Sequence, residues 1–229
     1  MRDLTVALPV VLGTAGATWW LLGLPASYVW VAVAIYVAMA GLILVLIPSD
    51  APGPGLGAAN RVTLGRAALS VPVGALCVPP GPLGAEGHWW VIVLATVVML
   101  LDGVDGRVAR RTGTQTGFGA RFDMELDAAL ILALSVLVWA GGKAGAWCLL
   151  IGLMRYLFLA AGWLWPALGS ELPESDRRRV VCVVQGVVLL VALGPIIPGA
   201  VATAVVAAGL AALVYSFAVD IRWALANAP

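Results

Sequence analysis

Eight long runs of apolar residues, separated by short pieces rich in glycine and proline, constrain this chain more than any other feature. They cover approximately residues 4–24, 28–48, 61–79, 88–110, 117–141, 144–167, 178–194 and 198–222. Each approaches the ~20 residues that a helix needs to cross a bilayer, and none alternates as barrel strands do. The pattern therefore predicts an all-α polytopic membrane protein. Only 11% of the residues are charged, and mean hydropathy is +1.02. A soluble domain of this size would carry roughly a quarter charged residues.

A net charge of +1 gives no basis for nucleic-acid binding. Position matters more. With both termini on the cytoplasmic side, nearly all the arginines fall on or near that side, and Lys143 falls opposite, in accord with the positive-inside rule. Arg66 is counted among these ordinary cytoplasmic bases, whereas Arg155 lies within a span. Cys77, Cys148 and Cys182 show no metal-ligand spacing and read as small interior residues. The N-terminal apolar segment is longer than a signal-peptide core and is read as a retained helix. Residues 1–50 are expected to form a two-helix membrane appendage, and 51–229 the core that carries the chemistry.

Residues 100–130 gather five of the twelve acids and four of the thirteen bases. Asp102, Asp105, Gly106, Ala109 and Arg110 share one helical face. Thr116, Gly119, Asp123 and Asp127 recur at spacings of three, four and four on the next span. Four carboxylates that converge near a membrane repel one another unless they protonate or bind cations. Oxygen-only donors suit a hard ion such as Mg²⁺ or Mn²⁺, and four acids suffice for two ions that clamp phosphoryl groups. Arg110 is placed to hold a phosphate oxygen. Solvated helix ends would explain two acids, but not two matched stripes interleaved with small residues.

The run Asp102-x2-Asp105-Gly106-x2-Ala109-Arg110-x8-Gly119-x3-Asp123-x3-Asp127 resembles the complete signature of the CDP-alcohol phosphotransferase family. The resemblance implies a six-helix core from about residue 60 onward, two divalent cations, Mg²⁺ or Mn²⁺, and a homodimer. It implies that Asp102, Asp105, Asp123 and Asp127 are metal ligands and that Asp127 is also the catalytic base. Gly106, Ala109, Arg110 and Gly119 would line the site of the CDP-linked donor, with Thr116 beside them. Asn60-Arg-Val-Thr63 matches a further element of the family, which adds Asn60 and Thr63 to the donor site.

The implied reaction moves a phosphatidyl group from a CDP-linked lipid, CDP-diacylglycerol first among candidates, to an alcohol acceptor, with release of CMP. Arg155, Arg177, Arg178 and Arg179 could together form an anion pocket for an acceptor that carries its own phosphate, such as glycerol 3-phosphate or inositol phosphate. Ordinary anchoring accounts equally well for the arginine triplet. Around the last two acids the chain reads Asp123-Met-Glu-Leu-Asp127-Ala, which matches neither the glycerophosphate-transferring nor the inositol-type pattern. The partners implied are donor, acceptor and membrane lipid, with the active site at the cytoplasmic face of the cell membrane. The competing reading is a divalent-cation transporter that uses the aspartates as a transit site. Transit sites usually lie near the bilayer midplane in repeated halves, and no repeat is visible here.

Overall fold

The computed structural model describes residues 2–47, 58–79, 81–112, 116–165, 168, 173 and 175–227, with the backbone alone at 58–59 and 104–112. Among these residues there are eight α-helices and no strand: α1 (Arg2–Leu22), α2 (Ser27–Leu46), α3 (Ala58–Ala75), α4 (Ala85–Thr112), α5 (Gly117–Ala140), α6 (Leu149–Leu164), α7 (Asp176–Leu193) and α8 (Gly199–Ala226). Each occupies one of the apolar segments of the sequence. Among the described residues, five stretches are long and apolar enough to cross a membrane: α1, α2, Ala85–Gly103 of α4, Ala146–Leu164 and α8. The helices also present large apolar side chains outward, including Trp30, Val45, Leu100, Trp163 and Tyr215. In water this much exposed apolar surface would be unfavourable; against lipid it is ordinary.

Two helix ends follow directly from glycine chemistry. Gly23 and Gly142 have φ of +59° and +67°, the left-handed conformation that a side chain disfavours. At the first, the Leu24 N–H reaches back to the Trp19 carbonyl at 3.1 Å; at the second, the Lys143 N–H reaches Val138 at 3.1 Å. Both close the last helical turn in a Schellman arrangement. The sixth apolar segment, expected to be helical from residue 144, instead opens with a 3-10 turn over Ala146–Cys148.

The chain divides into two compact units, Met1–Leu130 and Ile131–Pro229, and the boundary falls inside α5. In the first unit, α1 and α2 pack on α3, and polar groups fix that packing. The Tyr28 hydroxyl donates to the Pro72 carbonyl at 2.9 Å, and the Trp90 indole N–H donates to Thr18 at 2.8 Å. Arg61 pairs with Asp3 at 2.9 Å. Trp90 therefore ties α4 to α1. The boundary expected between residues 50 and 51 lies outside the described residues.

In the second unit, α7 packs against α8. The Gln185 amide donates to the Gly209 carbonyl at 2.9 Å between them. Lys143 caps the turn that follows α7, donating to the carbonyls of Gly194 at 3.1 Å and Ile197 at 2.9 Å. The Gly194 carbonyl also accepts from the Ile197 N–H at 3.0 Å, and a cation beside it suits the negative end of the α7 dipole.

Candidate metal and nucleotide site

The helical face of α3 that carries Asn60, Thr63, Arg66 and Ala67 is buried within the first unit. A buried arginine on such a face requires anionic partners, and α4 and α5 supply them. Arg66 is fully buried. Its Nε donates to the Val98 carbonyl of α4 at 3.1 Å. One Nη reaches Asp102 at 3.0 Å and Asp127 at 2.6 Å, while the other pairs with Asp123. The positive-inside count places Arg66 on or near the cytoplasmic side and gives it no part in the site; the structure adds that it pairs with all three of these acids. A positive-inside count weighs every base alike, whereas burial of one among three acids is a tertiary property.

Asp102, Asp123 and Asp127 each offer a carboxylate oxygen, and these oxygens lie within 4.8 Å of one another. At an effective dielectric of about 20, two such charges ~4 Å apart repel by about 4 kcal/mol. Arg66 carries one positive charge against three carboxylates, so it does not balance them by itself. This excess charge and the oxygen-only donor set fit a hard divalent ion. Asp105 follows Asp102 by three residues on α4, but its side chain and those of Ala109 and Arg110 lie outside the described residues, as does the surrounding of Gly106.

The start of α5 is built by Thr116 and Gly119. The Gly119 N–H donates to the Thr116 hydroxyl at 3.0 Å, so Thr116 caps the helix in the ordinary N-terminal manner. A Cβ on residue 119 would collide with the side-chain amide oxygen of Asn60. Gly119 thus lets α5 approach Asn60 closely, immediately before the helix delivers Asp123 and Asp127 one and two turns later.

The four arginines considered for an acceptor phosphate belong to the second unit. Arg155 is partly buried on α6. Arg177 donates to the Ser216 hydroxyl at 2.6 Å and pairs with Asp220, and Arg178 reaches the same carboxylate at 3.2 Å. Arg178 also donates to the Pro173 carbonyl. Arg179 is exposed, 3.7 Å from Asp176. Asp220 is a further buried acid that the sequence reading passed over, since an acid within the last apolar span had no visible partner in sequence.

A protein-family model described as CDP-alcohol phosphatidyltransferase matches residues 56–217, well over half of the chain. Comparison with curated proteins and with solved structures finds no match.

Proposed function

Because the chain belongs to the CDP-alcohol phosphatidyltransferase family, we propose that it transfers a phosphatidyl group from CDP-diacylglycerol to a polyol phosphate and releases CMP. The observation that carries this reading is the convergence of Asp102, Asp123 and Asp127 from two helices onto one cluster. A family of phosphotransferases accounts for such a cluster more directly than cation transport does.

In this reading Asp102, Asp105, Asp123 and Asp127 hold two divalent cations, Mg²⁺ or Mn²⁺, and Asp127 is also the general base. When bound, the ions supply charge neutralisation for the diphosphate. Asn60, Thr63, Gly106, Ala109, Arg110, Thr116 and Gly119 surround the CDP group, with Gly119 letting α5 approach Asn60 closely. Asp127 accepts the proton of the acceptor hydroxyl. The resulting oxygen attacks the β-phosphorus as the bond to the CMP oxygen breaks, and CMP carries away the electron pair. Arg110 steadies the phosphate through this step. Positioning and charge stabilisation supply most of the rate in such transfers.

Arg155, Arg177, Arg178 and Arg179 form the proposed acceptor-phosphate group, with Asp220 orienting Arg177 and Arg178. The enzyme is proposed to be a homodimer in the cell membrane, with both termini and the active site cytoplasmic. That placement lets a water-soluble nucleotide leave while the diacylglycerol stays in lipid. Residues 1–50 are proposed as an appendage to the core at 51–229, in keeping with a family match that begins at residue 56.

An acceptor panel tests the substrate assignment: glycerol 3-phosphate, inositol 1-phosphate, inositol, serine and none, each with CDP-diacylglycerol. Phosphorylated acceptors should support CMP release, and R177A should raise the acceptor KM while leaving the donor KM unchanged. Turnover with free serine or inositol alone would refute the polyol-phosphate assignment and retain the transferase.

A further inference from the structure

We propose that Arg66 is the positioning residue of the acid site, an internal counter-cation that assembles Asp102, Asp123 and Asp127 before any divalent ion arrives. The proposal adds to the reading of these acids as ion ligands, and its test separates the two.

Three observations carry it. Arg66 is fully buried, and its Nε is held by the Val98 carbonyl at 3.1 Å, so its guanidinium is anchored beneath the cluster rather than extended to water. It reaches all three carboxylates at once, with Asp102 at 3.0 Å, Asp127 at 2.6 Å and Asp123 on its other nitrogen. These acids come from two different helices, and the arginine from a third, α3. Without a cation among them, mutual repulsion would drive the carboxylates apart, and each incoming ion would have to gather its own ligands.

The fork geometry of arginine suits this task better than lysine, whose compact ammonium cannot spread across several carboxylates in one plane. A carboxylate has two oxygens, so pairing with Arg66 through one of them is compatible with ion binding through the other. Arg66 would then remain in place during turnover, and the site would be preorganised in the resting protein.

The test is a double-mutant cycle on the full chain in detergent, read by thermal unfolding in EDTA. R66Q removes the guanidinium that the three acids share and is expected to lower the apparent Tm by ~5 °C or more, given roughly 2–4 °C per kcal/mol for a chain of this size. Adding D123N to R66Q removes one of the repelling charges and should restore part of that loss. Additive losses in R66Q/D123N, which a mere packing role would give, overturn the proposal, as does an R66Q protein as stable as wild type. If R66Q yields no folded protein, recovery of a folded R66Q/D123N supports the proposal, and its failure overturns it. Mn²⁺ added to the same proteins reports on the ion reading separately. A larger Mn²⁺-induced rise in R66Q than in wild type supports both. No rise in wild type, with the EDTA cycle still coupled, removes the ion reading and leaves Arg66 as the counter-cation.

Discussion

The side-chain amide oxygen of Asn60 stands where a Cβ on Gly119 would have to go. The close approach of α3 to the start of α5 therefore depends on the absence of one carbon. In G119A, Asn60 must move, and the same carbon would also come within 3.0 Å of the Thr116 hydroxyl that caps α5. Overpacking of this kind typically costs about 1–3 kcal/mol. The expected result is a lower unfolding temperature and a raised KM for the CDP-linked donor. In an N60A background the added methyl finds space, so G119A should cost much less stability there. Equal costs in both backgrounds would show that the Asn60 contact is not what position 119 has to accommodate.

Asp127 lies 2.6 Å from Arg66 and shares that cation with Asp102 and Asp123. Replacing it with asparagine keeps its shape and a hydrogen-bond acceptor while removing its charge and basicity. General-base catalysis contributes roughly 10²–10⁴-fold. D127N is expected to lose at least ~100-fold in CMP release while eluting and unfolding as a folded protein. A D127N enzyme that is folded and retains more than about a tenth of wild-type activity would remove Asp127 from the base role.

Chelation should abolish turnover without unfolding the chain, because Arg66 still compensates part of the acid charge. Activity is expected to return on titration with Mg²⁺ or Mn²⁺. Full activity after exhaustive dialysis against EDTA would exclude a divalent-ion requirement.

Gly152 on α6 is packed so closely on Leu132 of α5 that a Cβ there would overlap its backbone and approach the Leu132 Cβ to 2.8 Å. Small residues commonly allow helices in a membrane to approach this closely. G152A is expected to destabilise the second unit by about 1–3 kcal/mol, visible as a lower unfolding temperature. The enzyme that stays folded should bind its CDP donor with unchanged affinity. An unchanged unfolding temperature would show that α5 and α6 can separate without cost.

Much of this architecture was legible in the chain itself, and the reason is local. A run such as 28–48 is too apolar for anything but a buried or lipid-facing helix, and α2 occupies Ser27–Leu46. Gly142 lies in one of the glycine-rich pieces expected to separate spans, and it ends α5 because left-handed backbone is a property of single residues. The acids were legible because Asp123 and Asp127 repeat at helical spacing, and Asp102 has a matching face on the preceding helix. Arg66 was not legible, although Asn60, Thr63 and Arg66 recur every three residues along one face. Only the packing of α3 against α4 shows that this face is interior and not a membrane-surface edge. Asp220 was missed for the same reason, since its partners Arg177 and Arg178 are 43 and 42 residues away in sequence.

The most direct test of the account is CMP release by the purified protein with CDP-diacylglycerol, a phosphorylated acceptor and Mg²⁺ or Mn²⁺, beside D127N and an EDTA control. The expected result is ion-dependent release by wild type that is lost in both controls. A folded wild-type protein that neither releases CMP with any acceptor nor binds a CDP-linked donor would contradict the account, as would D127N releasing CMP at the wild-type rate.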